Sequence, residues 1–411
     1  MKKLLNCAGL LIAGILLGTL ALCLVYLLPV QPMQTHLTES LDSFMEEGDN
    51  PFLIKGLKGS SLDNVTDAIM LGSAVYRSDR PFYQAAMLVA RHANGLETMD
   101  ALEEYLTEGN TEGESEYSRY WHGYLLFLKP LLLFLNFGQI RILNGVAMVV
   151  LVAAILILLW RRGMWRAAVA YLLALLALFP MTIPFSLQFS ACFYVGNAAL
   201  LLALSGFESW ERSDAWPYFF LLTGMCTSFV DFLTYPLYTF GMVFTLCLVM
   251  RRDTGRGAFR FLLKSGSAWC VGYLGMWAGK WCMGTLLSGQ NLFVEALSSV
   301  SVRTSLEAYD EKISRIITVL RNFYIYANIW GILLALAVLA WLCCNLRGQK
   351  LKVCLPRIGQ LALVACFPLV WYVLAVNHSY VHYWYTFRDL AFSVFAVGMI
   401  PEFLHGKAVR T

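Results

Sequence analysis

The sequence predicts an all-α polytopic membrane protein with about ten transmembrane helices and a large first extracytoplasmic loop. Of the 411 residues, 58% are hydrophobic and only 14% are charged, whereas soluble proteins average roughly 25% charged residues. Several apolar runs reach the roughly 20 residues that a helix needs to cross a bilayer. Lys and Arg cluster in alternate loops between these runs, which is typical of cytoplasmic loops.

Apolar runs locate the predicted spans. Residues 4–28 form a run that is too long for a signal peptide and lacks a small-residue cleavage site, so we expect a retained helix. Further spans are predicted at 140–160, 167–183, 189–204, 218–230, 235–250, 261–287, 327–344, 358–376 and 390–404.

Basic residues predict the orientation of these spans. They flank every second loop, as Lys2, Lys3, Arg161, Arg162, Arg166, Arg251, Arg252, Arg256, Arg260, Arg347, Lys350, Lys352, Arg357, Lys407 and Arg410. If these residues are cytoplasmic, both termini lie in the cytoplasm and the protein crosses the cell (plasma) membrane an even number of times.

This topology divides the chain into five parts. They are a first transmembrane helix (1–28), an extracytoplasmic domain with a juxtamembrane helix (29–120), a transmembrane bundle (121–288), a second extracytoplasmic loop (289–326) and C-terminal transmembrane helices (327–411). We call 29–120 the first polar segment and 289–326 the second polar segment. The net charge of +4 gives no indication of nucleic-acid binding. The eleven cysteines all fall in apolar segments or predicted inner loops, which excludes an external disulfide framework.

The first polar segment is acidic, with sixteen Asp and Glu against six Lys and Arg. Long loops of this kind usually carry function. Residues 35–47 and 96–106 are predicted helices, and 108–116 is a predicted solvated, mobile linker. Residues 60–76 begin like a capped helix and become apolar, so we expect them to lie along the outer membrane surface.

Two acids of this segment are the candidate catalytic residues. Asp63 and Asp67 are four residues apart, so a helix would place them on one face about 6 Å apart, where one carboxylate can act as a general base. A structural alternative is that Ser60 and Asp63 form a capping box. A divalent cation bridging the two carboxylates is a weaker alternative, because no further oxygen-ligand cluster lies nearby.

Two aromatic motifs supply candidate phosphate-binding residues. The first, 116–124 (EYSRYWHGY), contains Arg119 and His122. The second, 377–389 (NHSYVHYWYTFRD), which we call the histidine loop, contains His378, His382 and Arg388. Aromatic residues are ordinary at a membrane boundary, and Arg388 paired with Asp389 would be a structural alternative. So many polar groups between apolar runs nevertheless favour a functional role.

Two further candidates lie within the predicted bundle. Asp231 sits at the outer end of a span and Lys280 lies within one, about 10 Å from its outer end. Lys280 can extend its ammonium group to the interface. If both side chains face inward, they line the same outer cavity.

The order of these pieces resembles the GT-C superfamily of membrane glycosyltransferases, which use polyprenyl-phosphate sugars. In that superfamily a first span leads to a long outer loop with an acidic catalytic residue, followed by an aromatic re-entry motif and a helix pair. Residues 117–162 are similar to this pattern, with FLNFGQIRILN at 134–144 and a closing Trp-Arg-Arg. The histidine loop before the last span extends the resemblance.

The resemblance implies transfer of a sugar from a lipid-linked donor to a cell-envelope acceptor on the extracytoplasmic side. Asp67 or Asp63 would act as the base, and Arg119, Arg388, His382 or Lys280 would stabilise the departing phosphate. The sequence leaves two alternatives open. One is a transporter or flippase for a lipid-linked or anionic substrate, in which the polar residues line a path. The other is a scaffold that presents its outer loops to partners.

The orientation predicts the accessibility of three positions. Cysteines that replace Gly113 or Ser305 should react with impermeant thiol reagents added to intact cells, whereas a cysteine that replaces Gly255 should not. The parent chain provides the background from the native cysteines. Labelling of the Gly255 variant in intact cells would contradict the orientation.

Overall fold

Helices make up most of the structure, a computed structural model that describes residues 2–110, 112–349 and 351–405. The helices are α1 (Lys2–Val25), α2 (Val30–Thr38), α3 (Leu41–Glu47), α4 (Asn64–Val75), α5 (Phe82–Leu88), α6 (Thr98–Thr107), α7 (Leu125–Leu132), α8 (Phe137–Arg161), α9 (Trp165–Ala177), α10 (Leu187–Arg212), α11 (Trp216–Val230), α12 (Leu237–Arg251), α13 (Arg256–Ser288), α14 (Leu292–Thr304), α15 (Arg315–Phe323), α16 (Ile329–Leu346), α17 (Leu351–Ala365), α18 (Phe367–Leu374), α19 (Val376–Val381), α20 (Tyr383–Thr386), α21 (Leu390–Gly398) and α22 (Ile400–His405).

Short extended pieces interrupt the helices in the polar segments. Strands β1 (Ala90–His92) and β2 (Glu114–Glu116) pair antiparallel, as do β3 (Glu307–Ala308) and β4 (Glu311–Lys312). The predicted helical class is confirmed. Three of the predicted inner cations, Lys350, Lys407 and Arg410, lie outside the described residues.

Among the described residues, five stretches are long and apolar enough to cross a bilayer. They are Lys2–Val25, Phe137–Arg161, Leu187–Arg212, Ile329–Leu346 and Cys354–Leu374. Their outward side chains, such as Leu16 and Val149, stay more than half exposed, which in water would be an unfavourable surface. The structure therefore agrees with the prediction of a membrane protein.

Prolines divide three of the predicted spans. The span predicted at 167–183 ends with α9, because Pro180 and Pro184 lie in the 3₁₀ turn Pro180–Phe185. The span predicted at 358–376 is split between α17 and α18 just before Pro368, and the last span is split before Pro401. Proline lacks the backbone N–H and its ring clashes with the preceding turn.

The first polar segment is folded against the bundle. The expectation that 60–76 lies along the membrane surface is wrong, because Met70, Leu71 and Val75 are at most 3% exposed and α4 packs against α2, α6, α7 and α10. The predicted helix at 35–47 is broken between α2 and α3. The predicted linker is not wholly free, since β2 is paired and Arg80 bridges Glu114 and Glu116.

The polar segments and the predicted inner cations take part in two separate sets of contacts. The two polar segments and the histidine loop touch one another through Arg119–Glu295, Arg303–His378 and the Asn377 amide on the Glu307 carbonyl. Predicted inner cations form a separate set of contacts, Lys3–Asp214, Arg162–Glu208 and Arg251–Glu211. The polar segments are therefore assembled in one place.

Helices α11 and α13 form the most extensive helix pair, and two glycines permit their close approach. A Cβ on Gly224 would collide with the carbonyl oxygen of Trp269, and a Cβ on Gly272 would collide with that of Leu221. Small residues at such crossings let backbones meet without a side chain between them.

The glycine contact predicts a stability effect. Gly224→Ala and Gly272→Ala should each lower the free energy of unfolding by about 1–3 kcal/mol, the usual cost of overpacking. Thermal unfolding in detergent, followed by tryptophan fluorescence, measures this change. Gly9→Ala is the control, because no atom lies within 4 Å of its added Cβ and alanine favours the helix. Unchanged stability of both crossing variants would contradict the close contact.

Candidate functional site

Asp63 is the N-cap of α4. Its Oδ1 accepts a hydrogen bond of 3.0 Å from the Thr66 amide, so the predicted capping box with Ser60 as N-cap is wrong. Its Oδ2 is only weakly engaged, by the Trp384 indole N–H at 3.5 Å. Burial raises the pKa of this carboxyl, and hydrogen bonds with Thr66 and Trp384 together with the charge of Arg388 oppose that rise. One oxygen of Asp63 therefore faces the histidine loop.

Asp67 lies one turn further along α4 and is fully enclosed. Its Oδ1 accepts a hydrogen bond of 2.9 Å from the Leu187 amide at the start of α10, and its Oδ2 has no hydrogen-bond partner in the described residues. Burial raises the pKa of Asp67 well above its ordinary value, although Arg141 opposes the shift. The position favours a helix-capping role over contact with a substrate.

Arg388, like Asp63, contacts Trp384, and it does not form the predicted pair with Asp389. Its guanidinium donates to the Trp384 carbonyl at 3.0 Å and to the Thr182 hydroxyl at 2.9 Å, and it lies 3.6 Å from the centre of the Phe189 ring. Asp389 instead accepts from the Tyr238 amide at 2.9 Å. The alternative of an Arg388–Asp389 pair is therefore wrong, and Asp63 is an acid that interacts electrostatically with Arg388.

The histidine loop holds a cation that sequence reasoning missed. Arg303, in the last turn of α14, donates to Nδ1 of His378, whose Nε2 is 2.7 Å from the Leu233 carbonyl. These partners require the neutral Nε2–H tautomer of His378. A lone Arg near a helix C-terminus is usually explained by the helix dipole, so the sequence carried no signal for Arg303.

His382 completes the inner face of the loop. Its ring stacks on Tyr385 at 5.1 Å and packs 4.9 Å from the His378 ring. Burial, together with the charge of Arg303, lowers the pKa of His382 to about 3. This shift favours a neutral imidazole over the expected cation, and Nδ1 of His382 has no hydrogen-bond partner in the described residues.

Arg119 and His122 are largely committed to protein contacts. Arg119 pairs with Glu295 at 2.9 Å and lies 4.4 Å from the centre of the Tyr117 ring. His122 uses both ring nitrogens, 2.6 Å from the Tyr117 carbonyl and 3.2 Å from the Tyr124 hydroxyl. His122 is thus a buried anchor of the aromatic motif.

Lys280 and Asp231, which were expected to line one outer cavity if both faced inward, are each bound to other protein groups. Lys280 is fully buried and its ammonium group donates to the Met87 carbonyl at 2.7 Å, so it does not reach the interface. Asp231 accepts hydrogen bonds from the amide and hydroxyl of Thr234. Lys280 instead ties α13 to the end of α5.

Tyr385 packs against both histidines of the histidine loop, with ring centres 5.1 Å from His382 and 5.9 Å from His378. Arg303 donates to His378, and Trp384, the residue before Tyr385, contacts both Asp63 and Arg388. We call Asp63, Arg303, His378, His382, Trp384, Tyr385 and Arg388 the Tyr385 cluster. It joins both polar segments and the histidine loop, so side chains more than 300 positions apart in the chain meet in one place.

The donor set does not suit a bridging metal ion. Among the described residues no group of three His, Cys, Asp or Glu side chains comes together as ligands. Asp63 and Asp67 each commit one oxygen to a backbone amide, and hard cations require about six oxygen ligands. The two carboxylates therefore offer a divalent cation too few ligands.

The burial of Asp67 predicts a pH-dependent stability. The unfolded chain has an ordinary Asp pKa of roughly 3.9, whereas burial raises the folded-state pKa. The folded state binds the proton more tightly, so stability falls as pH rises from the unfolded-state pKa through the folded-state pKa. In Asp67→Asn this fall in stability with rising pH should disappear. Above the folded-state pKa the variant should be at least as stable as the parent, as measured by thermal unfolding from acid to neutral pH.

The control for this measurement is Asp100→Asn, an exposed acid of α6, which should keep the slope. If Asp67→Asn were the less stable protein at neutral pH, the ionised carboxylate would be a net stabilising cap, contrary to this prediction.

Comparison with known proteins yields no match to a protein family, to a curated protein or to a solved structure. The activity of the chain is therefore inferred from the residues that meet in the Tyr385 cluster.

Proposed function

We propose that this chain is a GT-C-like glycosyltransferase that moves a sugar from a polyprenyl-phosphate donor to a cell-envelope acceptor. One observation carries the proposal: Asp63, from the first polar segment, is joined through Trp384 and the histidine loop to Arg388 and Arg303, neither of which forms a salt bridge with a carboxylate in the described residues. A carboxylate beside guanidinium groups of this kind suits an acceptor hydroxyl next to a phosphate.

The proposed topology places this cluster outside the cell. The chain would cross the plasma membrane about ten times with both termini in the cytoplasm. The separate contacts of the polar segments and of the predicted inner cations support this orientation, because they are compatible with opposite faces of one bilayer. A lipid-linked donor would then reach the cluster from the outer leaflet.

In the proposed reaction the acceptor hydroxyl oxygen attacks the anomeric carbon of the donor sugar. The bond from that carbon to the lipid-phosphate oxygen breaks, and its electron pair leaves on the phosphate. The hydroxyl proton passes to Oδ2 of Asp63, which is only weakly engaged by Trp384. Arg388 and Arg303 stabilise the charge that develops on the phosphate, and preorganised charges of this kind act most strongly in the transition state.

Asp63 fits the role of base better than Asp67 does. Asp63 directs an oxygen toward Trp384 of the histidine loop, whereas Asp67 is enclosed behind it and occupied by the start of α10. Neutral His382 has a ring nitrogen without a partner in the described residues and suits a hydrogen bond with the sugar or phosphate. The proposal therefore assigns proton transfer to Asp63 and structural support to Asp67.

The assignment predicts different effects of two matched substitutions. Asp63→Asn keeps a good N-cap but removes the base, so turnover should fall roughly 10²- to 10⁴-fold. Asp67→Asn and the exposed control Asp100→Asn should retain turnover. The measurement is sugar transfer by the reconstituted protein from a polyprenyl-phosphate sugar. Because burial raises the pKa of Asp63 and the base must be ionised, activity of the parent should rise with pH along a limb displaced above the ordinary Asp range.

Three results would count against this assignment. Parent-level turnover in Asp63→Asn would remove the proposed base. Loss of turnover in Asp67→Asn alone would exchange the two roles. Movement of the lipid-linked substrate across vesicles without bond cleavage would favour the transporter or flippase instead.

A further inference from the structure

Helix α15 in the second polar segment has its polar face inside and its apolar face outside. Thr318 and Asn322 are fully buried, whereas Ile316 is 72% exposed, Ile317 54% and Leu320 61%. Positions 318 and 322 are one turn apart, as are 316 and 320, so the two sets lie on different faces of the helix. A surface helix of a water-soluble domain has the reverse arrangement.

The buried face of α15 is attached to the histidine loop by hydrogen bonds. The Asn322 amide donates to the Ser379 carbonyl at 3.0 Å, and its oxygen accepts from the Thr386 hydroxyl at 2.7 Å. Arg321 stacks between Tyr380 and Tyr383, 4.2 and 4.3 Å from the two ring centres. These contacts fix the rotation of α15, so its apolar face cannot turn inward.

The apolar face continues onto helices on either side. Upstream, α14 exposes Val294 (67%) and Leu297 (58%) and packs, like α15, on α19. Downstream, the chain passes Tyr324, which is 52% exposed, and enters α16, a helix able to cross a bilayer. α16 exposes Ile329 (67%) at its first residue. Exposed apolar side chains therefore continue along the chain from α14 through α15 into a helix that is able to cross a bilayer.

We infer that α15 lies in the membrane interface, with Ile316, Ile317 and Leu320 in the acyl-chain boundary of the leaflet where α16 begins. Arg315, which is exposed beside this face, suits lipid phosphates, and the exposed rings of Phe323 and Tyr324 suit the headgroup region. In this arrangement helix α15 lies between the histidine loop and the bilayer. This inference rests on the membrane location of α16 and not on the proposed transfer reaction.

The test is photo-crosslinking of the full chain in phosphatidylcholine–phosphatidylglycerol vesicles. The photoreactive residue p-benzoylphenylalanine replaces Leu320 in one variant, Ile316 in a second and Tyr309 in a matched control. Tyr309 is 69% exposed in the turn between β3 and β4, on the same polar segment but away from α15. All three positions are exposed, so none of the replacements disturbs the core.

After irradiation, mass spectrometry of the peptides should show phospholipid adducts at Leu320 and Ile316 several-fold above the level at Tyr309. Lipid adducts at Leu320 no more frequent than at Tyr309 would overturn the inference. Adducts to protein in place of lipid would also overturn it, since a second copy or another protein would then cover the apolar face.

Discussion

The placement of the candidate site depends on one reciprocal contact between two helix N-termini. The Asp63 amide donates to the Ser186 hydroxyl at 3.1 Å, and the Leu187 amide donates to Asp67 at 2.9 Å. Each helix start therefore satisfies a polar group of the other, where unpaired amides would otherwise be buried. Because Ser186 begins α10, this contact fixes α4 of the first polar segment on the helix bundle. The same contact helps to hold Asp63 where one of its oxygens faces Trp384 of the histidine loop.

Cations near Asp63 are kept in place by aromatic rings and neutral acceptors. Arg388 lies against Phe189 and donates to two oxygens that carry no full charge, and Arg303 donates to a neutral imidazole. Such contacts orient a guanidinium group without cancelling its charge. A carboxylate in those places would neutralise the group, as Glu295 does for Arg119. Neither Arg388 nor Arg303 is neutralised by a carboxylate salt bridge in the described residues.

Sequence reasoning succeeded where the signal is local. Apolar runs indicated a helical membrane protein, and the polar start of the segment at residues 60–76 indicated a helix, which the structure has as α4. Sequence reasoning failed where the same residue pattern is compatible with two different environments. The apolar half of α4 fits lipid and protein equally well by composition, and only its packing against four helices shows that it is buried. Arg303 was missed for a similar reason, since its role exists only through His378, 75 positions away.

Helix α15 and α4 show why the environment of an apolar residue depends on its polar neighbours. Two acids at the start of helix α4 accept hydrogen bonds from backbone amides of the protein. The apolar residues that follow them in α4 are buried. In α15 the polar residues Thr318 and Asn322 also point toward the protein, where Asn322 forms hydrogen bonds with Ser379 and Thr386. The opposite face of α15 is apolar and exposed. Buried hydrogen bonds are costly to leave unmade, so they determine the rotation of a short helix before its apolar residues do. In both helices the hydrogen bonds of a few polar residues determine which way the apolar residues face.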